Sequence, residues 1–368
     1  MFQSDIIYPI GVDISDHDVF VSQLKRRRKG LVLRDIFHQE LNGLNEDPSE
    51  ADDLLIASLK QISKRKGFSG KKVAIHLPFE KVISFPIRFE AGKEESLEEA
   101  IIRESNDFLP FPIEQAIIDY PSLDPIGDDD STLHRATIIA LKREDLDHYL
   151  RLIKKSGLAV ETIDFPVSSL MRLHEYLHDE SQQPVILCHI GNKHSHLAGV
   201  TGDSIIFHRT LPLGVENLTS RILNSFELPD QRNKGKLILE QYGLAYEEHL
   251  LNKEKKEDDY RSDHDMYRAV YQIITPYIEG LIDEFHKIIG YLRSEDQNAF
   301  FEGIYIYGQG AMIQSLDTYI EKQMNIPTRR VDPFQKFDLQ EGPVTDELNG
   351  GMSFALSLGL AMRRVPWL

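Results

Sequence analysis

Three short glycine-bearing segments constrain the fold of this chain more than any other feature. In chain order they are Ile10-Gly11-Val12-Asp13-Ile14, His189-Ile190-Gly191-Asn192-Lys193 and Tyr307-Gly308-Gln309-Gly310-Ala311, and each follows or overlaps an apolar run that is typical of a strand. A strand followed by a glycine-bearing turn can present backbone N–H groups to a phosphate without side-chain obstruction. Their order predicts a two-lobed protein in which the first two segments hold phosphates from opposite lobes and the third lies beside a nucleoside.

The first segment belongs to a pattern that recurs about half a chain later. Residues 6–42 and 185–208 both have the pattern of strands joined by tight turns. The repetition predicts an α/β chain with a duplicated, two-lobed fold of the actin type (ribonuclease H-like). We predict a first lobe over residues 1–176, a second over 177–350, and a C-terminal helix over 351–368 that packs back on the first lobe. An acidic helix is predicted from about Lys93 to Phe108, before the prolines that follow it.

Composition excludes several classes of function. The formal net charge is −17, which repels nucleic acid, so we expect no nucleic-acid partner. The single cysteine, Cys188, excludes an internal disulfide, and no apolar run approaches the length of a membrane span. The start of the chain lacks the pattern of a secretory signal, and together these features predict a cytoplasmic protein. The one strongly basic run, Lys25-Arg26-Arg27-Arg28-Lys29-Gly30, is either a solvated hairpin tip or a contact with an anionic inner leaflet.

Four longer motifs carry a resemblance to a known family. They are ESNDFLPFPIE at 104–114, GLAVETID at 157–164, YGLAYEE at 242–248 and SLGLAMR at 357–363. Together they resemble the pilus-assembly PilM family, relatives of the division protein FtsA, over nearly the whole chain. The resemblance implies an actin-like fold with an inserted subdomain in the first lobe, at about 82–160. It also implies binding of ATP with Mg²⁺ and capture of the cytoplasmic N-terminal peptide of a PilN-like inner-membrane protein.

The same resemblance assigns nucleotide-binding residues. They are Gly11, Asp13, Ser15, Gly191, Asn192, Lys193, Gly308 and Gly310, with Asp13 also the candidate Mg²⁺ ligand. The chain departs from the family pattern, because Ser15 replaces a glycine and His189 stands where an acid would hold Mg²⁺-bound water. Histidine is a poor ligand for Mg²⁺, which prefers oxygen donors. We therefore predict weak or lost ATP binding and at most weak hydrolysis; the alternative is that the three turns merely connect strands.

The predicted partner site is a groove between the inserted subdomain and the first lobe. Its candidate contacts are Phe85, Ile87 and Phe111. The apolar group beside the prolines, Phe108, Phe111 and Ile113, is either part of the core of the insert or one wall of this groove. Acidic residues of the predicted helix, Glu94, Glu95, Glu98 and Glu99, would attract a basic peptide. The family role implies a scaffold or adaptor that is peripheral at the inner membrane, with pilus motor ATPases and self-association as further contacts.

Other functions compete with this interpretation. A small-molecule kinase of the same superfamily would need an intact metal–phosphate site, and an FtsA-like filament protein would usually carry an amphipathic membrane helix. His194 and His196 form a candidate metal pair without an evident third ligand. Cys188 and His189 are adjacent, so on a strand they point to opposite faces and cannot form a nucleophile–base pair.

Overall fold

The computed structural model forms two compact units. The first comprises Met1–Glu180, Gly202–Arg209 and Pro333–Leu368, and the second Ser181–Thr201 and Thr210–Asp332. The residues that the structure describes are 6–15, 18–27, 30–41, 48–77, 81–92, 94–126, 132–178, 183–202, 204–228, 231–251, 257–295, 297, 300–339 and 347–364.

The described residues form both strands and helices in each unit. The strands are β1 (Ile6–Ile7), β2 (Ile10–Ile14), β3 (Asp18–Arg27), β4 (Gly30–Glu40), β5 (Lys72–Ile75), β6 (Val82–Glu90), β7 (Ala116–Pro125), β8 (Leu133–Lys142), β9 (Ala159–Ile163), β10 (Val185–Ile190), β11 (Ser195–Thr201), β12 (Ser204–Leu211), β13 (Ile304–Tyr307), β14 (Thr328–Arg330) and β15 (Asp338–Leu339). The helices are α1 (Pro48–Ile62), α2 (Leu97–Ser105), α3 (Arg143–Lys155), α4 (Pro166–Leu177), α5 (Val215–Ser225), α6 (Arg232–Gln241), α7 (Tyr246–Leu251), α8 (Glu257–Glu295), α9 (Leu316–Met324) and α10 (Ala355–Ala361).

The first unit is built on a seven-stranded sheet in the order β15-β4-β3-β2-β5-β9, with β1 also paired to β3. Alternate residues of β2 face opposite sides of the sheet. Ile10, Val12 and Ile14 enter a hydrophobic core that also contains Leu59 of α1 and Leu152 of α3. Gly11 and Asp13 therefore face the other side, on which α10 packs against β2 and α4.

A second sheet of three antiparallel strands, in the order β6-β8-β7, occupies residues 82–142. Helix α2 packs on β6, and Ile87, Phe89, Ile101 and Ile138 form the core between them. We predicted an insert over 82–160, and that range stays a prediction as a domain boundary. Within it, α3 packs on α1 and β9 pairs with β5, so the part after Lys142 is joined to the larger sheet.

Helix α2 is shorter than the helix predicted from Lys93 to Phe108. It begins after Ser96, whose hydroxyl accepts a hydrogen bond from the Glu99 amide at 3.2 Å. The Glu99 carboxylate in turn accepts from the Ser96 amide at 2.9 Å. This reciprocal cap sets the start of the helix, which is why the predicted first turn is wrong. The α-helix ends at Ser105, and a 3₁₀ turn continues through Phe108.

A five-stranded sheet has the order β12-β11-β10-β13-β14, and its strands β10, β11, β13 and β14 belong to the second unit. Strand β10 pairs antiparallel with β11 and parallel with β13. In the first unit, β2 likewise pairs antiparallel with β3 and parallel with β5. The two predicted strand–turn–strand segments thus begin two separate sheets with the same pairing pattern.

Candidate functional site

Gly11 lies at the point where the C-terminal helix meets the first sheet. A Cβ atom at this position would lie 2.0 Å from the carbonyl oxygen of Ser357 and 2.6 Å from the amide nitrogen of Ala361. The hydroxyls of Ser22 and Ser357 are hydrogen-bonded at 2.7 Å beside it. The absence of a side chain at Gly11 is therefore explained by the close approach of α10 to β2.

Asp13 lies on the same face of β2 and is only 4% exposed. Its Oδ1 is 3.6 Å from Nδ1 of His76, which is 1% exposed and has no hydrogen-bond partner at that nitrogen among the described residues. The other ring nitrogen, Nε2, lies 3.0 Å from the Ser169 hydroxyl. Asp13 is thus one end of a buried row of polar groups, and its placement as a nucleotide or Mg²⁺ ligand stays a prediction.

The row continues through a buried ion pair that sequence reasoning missed. Ser169 donates to the Asp164 carboxylate at 3.1 Å, and the Arg172 guanidinium pairs with the same carboxylate oxygen. Arg172 Nε also donates to the Gly359 carbonyl of α10 at 3.3 Å. The only sequence signal was an aspartate directly after β9, with an arginine two helical turns further along.

The polar groups of the turn after β2 form hydrogen bonds within the first unit. The Ser15 amide donates to the Asp18 carbonyl at 2.9 Å, and the Ser15 hydroxyl donates to the same oxygen at 3.1 Å. The Asp18 carboxylate lies 2.6 Å from Nε2 of His38. Asp16 and His17 lie outside the described residues. Neither the amide of Ser15 nor the carboxylate of Asp18 is directed at a ligand in this arrangement.

The turn after β10 is closed by backbone hydrogen bonds. The Gly191 amide donates to the His194 carbonyl at 2.9 Å, so it is not presented to an anion. The carbonyls of Gly191 and Asn192 accept from the first amides of α5, those of Val215 and Glu216, at 3.0 and 2.8 Å. Amides at the start of a helix are the usual anion donors, and here carbonyl oxygens occupy two of them. Lys193 is half-buried within the same turn.

The third glycine segment packs against the end of β10. Gly308 has a φ of +82°, and a Cβ there would lie 2.6 Å from the Ile190 carbonyl oxygen and 2.8 Å from Nε2 of His189. A Cβ at Gly310 would lie 2.4 Å from the Ile190 side chain. Both glycines therefore have a packing reason within the second unit. Considered unit by unit, the residues assigned from the family fit a phosphate and metal site poorly, because the Ser15 and Gly191 amides are engaged in their own turns and His189 replaces the expected acid.

The predicted peptide contacts do not share one environment. Ile87 is 4% exposed in the core beneath α2, so its side chain is not available to a partner. Phe85 and Phe111 are half-buried. Phe85 stacks on Phe108, with ring centroids 4.9 Å apart, and Phe108 is itself 53% exposed. Phe108 is therefore the accessible aromatic residue of the apolar group beside the prolines.

Two of the four predicted acidic residues are engaged locally. Arg103 donates to Glu95 at 2.9 Å, and this bond contributes most to lowering the pKa of Glu95 to about 2. The Glu99 carboxylate caps α2, which lowers its pKa as well. Glu94 and Glu98 are exposed. Within this segment, Glu94 and Glu98 are the better placed carboxylates for long-range attraction of a cation.

The alternative chemistries receive no support from the described residues. Burial raises the pKa of the Cys188 thiol, as expected for a structural cysteine. His196 lies within β11, whereas His194 lies in the turn that precedes this strand, so the two residues do not share a strand face. No group of three metal-binding side chains occurs in the parts of the chain that the structure describes. Among those same parts, no helix is long and apolar enough to cross a membrane.

Comparison with known proteins supports one family. A model of the type IV pilus assembly protein PilM family matches residues 11–365. The structure is similar to that of a PilM–PilN type IV pilus biogenesis complex, with a TM-score of 0.75 and 20% identity over 97% of this chain and 98% of that chain. It is also similar to the ethanolamine utilization protein EutJ from Carboxydothermus hydrogenoformans, with a TM-score of 0.52 and 13% identity over 96% of this chain and 89% of that chain.

These matches confirm the predicted actin-like α/β fold. The family model covers nearly the entire chain, including all four motifs on which the resemblance was based. The chain therefore belongs to the type IV pilus assembly protein PilM family.

Proposed function

We propose that this chain is a cytoplasmic adaptor of a type IV pilus or related secretion machine, peripheral at the inner membrane. In this role it captures the cytoplasmic N-terminal segment of a PilN-like inner-membrane protein. The observation that carries the proposal is the fold match to a PilM–PilN complex over 97% of this chain, together with the family model. Family membership also favours this role over a kinase or an FtsA-like filament protein. We also propose that the chain contacts pilus motor ATPases and associates with itself.

The proposed receptor surface, which we call the aromatic cluster, comprises the stacked pair Phe85 and Phe108 together with the half-buried Phe111. Buried aromatic contacts carry a large share of the affinity of many interfaces. Phe108 combines a fixed stacking partner, Phe85, with 53% exposure. An anchor residue that is already held in place loses little side-chain freedom when a partner binds.

Backbone pairing between the peptide and a sheet edge is expected to contribute less to the affinity than these side-chain contacts. Strands β6 and β7 are the two edges of the three-stranded sheet, and an extended peptide could pair with either. Pro86 interrupts the middle of β6, and Pro121 and Pro125 lie in β7, whose register also shifts between Asp119 and Ser122. Because proline lacks an N–H group, each removes a donor from an edge. We therefore assign the specificity to side-chain contacts.

The first experiment measures binding of a synthetic N-terminal peptide of the PilN-like protein from the same organism. Phe108→Ala should weaken binding about 30-fold, since a central aromatic anchor contributes about 2 kcal/mol. Phe300→Ala is the matched control, because Phe300 lies in the second unit and is 56% exposed. Unchanged affinity in the Phe108→Ala and Phe111→Ala variants would place the peptide elsewhere. Deletion of 82–160 is unsuitable, since it removes α3 and part of β9.

A second measurement tests electrostatic attraction. Charge reversal at Glu94 and Glu98 should slow peptide association more than it speeds dissociation, and added salt should mute the difference. Reversal at Glu279 and Asp283, two exposed acids of α8, is the control and should leave association unchanged. An effect confined to dissociation would instead make Glu94 and Glu98 direct contacts.

We further propose that nucleotide binding is weak. The supporting observations are the engaged Gly191 amide and the His189 ring against Gly308. Calorimetry with ATP and Mg²⁺ should detect weak binding, with phosphate release far slower than in a working kinase. Fast magnesium-dependent release that Asp13→Ala abolishes would contradict this prediction.

A further inference from the structure

One end of the first sheet combines exposed aliphatic side chains with exposed arginines. Ile6 and Ile7 of β1 are 50% and 41% exposed. Strand β1 pairs antiparallel with β3, which places Ile6 opposite Arg26 and Ile7 opposite Lys25. Arg26 and Arg27, at the end of β3, are also exposed. We call Ile6, Ile7, Arg26 and Arg27 the basic end of the sheet.

The composition of the basic end contrasts with that of the whole chain. The chain carries 59 acidic and 42 basic residues, yet Lys25-Arg26-Arg27-Arg28-Lys29 contains five consecutive basic residues. Of the described members of this run, Lys25 is buried and Arg26 and Arg27 are exposed. Arg28 and Lys29 lie outside the described residues. A local cluster of positive charge on an acidic protein can attract an anionic surface at short range. Salt screens the repulsion between that surface and acidic residues that lie more than about 10 Å away.

Strands β3 and β4 form a hairpin, and a third exposed aliphatic residue lies beside β4, on the side away from β1. Strand β15 pairs with β4, with Leu339 opposite Leu33, and Leu339 is 46% exposed. Lys336, just before β15, is exposed as well, and Asp338 is the acid at this end. Strands β1, β3, β4 and β15 are neighbours, so the exposed aliphatic residues flank the hairpin at a separation of about 14 Å.

We propose that the basic end docks directly on an anionic lipid bilayer. Arginine pairs with headgroup phosphates, while the isoleucines contribute apolar area at the headgroup boundary. Duplex nucleic acid would use the arginines but would offer no apolar region for Ile6 and Ile7. This contact goes beyond the proposed adaptor function, because it requires no partner peptide and uses residues outside the aromatic cluster.

The test is co-flotation of the purified full chain, without peptide, with vesicles of phosphatidylcholine alone or mixed with phosphatidylglycerol. Binding is expected only to the anionic vesicles and should weaken with added salt. The Arg26→Gln/Arg27→Gln variant should lower the partition coefficient about 30-fold at low salt, from about fivefold for each basic residue at the surface. Lys154→Gln/Lys155→Gln, the same charge change on exposed positions of α3, should have no such effect.

A second variant separates the apolar contribution from the charge. Ile6→Ser/Ile7→Ser should lower the partition coefficient at both low and high salt, whereas the arginine effect should fade as salt rises. Circular dichroism confirms that each variant is folded. Three outcomes would overturn the proposal: equal binding to both vesicle types, anionic binding unchanged in both variants, or binding to duplex DNA or to a second copy of the chain in place of vesicles. None of these outcomes bears on peptide capture.

Discussion

Substitution of Gly11 by alanine should destabilise the nucleotide-free protein by about 3 kcal/mol, at the upper end of the usual cost of overpacking. The added Cβ would lie 2.0 Å from a backbone oxygen of α10, so the helix must move. The loss should appear in thermal unfolding as a fall in midpoint of roughly 5–10 °C. If Gly11 instead serves only to admit a phosphate, its replacement would leave the nucleotide-free protein unchanged.

Gly280→Ala is the matched control for this prediction. Gly280 lies within α8, and a Cβ there would meet no atom of the described residues within 4 Å. Alanine loses less backbone entropy than glycine on folding into a helix, so this change should stabilise by about 0.5–1 kcal/mol. Opposite signs for the two substitutions would show that the contact with α10, and not a general response to added methyl groups, determines the result at Gly11.

Arg172→Met should destabilise by about 3–5 kcal/mol, the usual cost of leaving one partner of a buried ion pair uncompensated. The Arg172 and Asp164 side chains are only 13% and 7% exposed. Arg172 also hydrogen-bonds Ser169 at 3.1 Å. After the change, the more distant Arg363, at 3.7 Å from the Asp164 carboxylate, would remain as a cationic partner among the described residues. Chemical denaturation would measure the loss of unfolding free energy.

Two further variants test whether the loss of unfolding free energy comes from the uncompensated charge of Asp164. Adding Asp164→Asn to Arg172→Met should recover part of the stability, because a neutral amide needs no counter-charge. Lys142→Met removes an ion pair with Glu144 on the surface and should leave the unfolding curve unchanged. If Arg172→Met behaves like Lys142→Met, the buried row from Asp13 to Arg172 is not a structural element.

The spacing of apolar and turn-forming residues predicted the fold class, because this spacing depends on whether a segment is a strand, a turn or a helix. The strand-turn-strand segments at 6–42 and 185–208 were visible as apolar runs separated by turn residues, and their similarity predicted the duplicated fold. The helix before the Leu109-Pro110 segment was visible for the same reason. Its start was missed because the cap formed by Ser96 and Glu99 depends on which of several acidic residues reaches back to the backbone.

The partner surface was only partly predictable. Phe85, Ile87 and Phe111 were chosen as apolar residues near prolines, yet Ile87 is buried beneath α2 while Phe108 is exposed. Period-2 alternation indicates which residues of β6 share a face with one another. It does not indicate which face a helix from later in the chain will cover, and this decides which side chains a partner can reach.

The amino-acid sequence by itself determined the α/β class, the duplicated pattern, the family and the replacement of an expected acid by His189, since each is a property of residue type and spacing. Only the tertiary structure decided how the glycines are used. Gly11 admits helix α10, and Gly308 and Gly310 admit His189 and Ile190, through contacts between residues far apart in the chain. A glycine signals only that space is needed beside the backbone; whether a ligand or the protein itself fills that space depends on packing over long distances in the sequence.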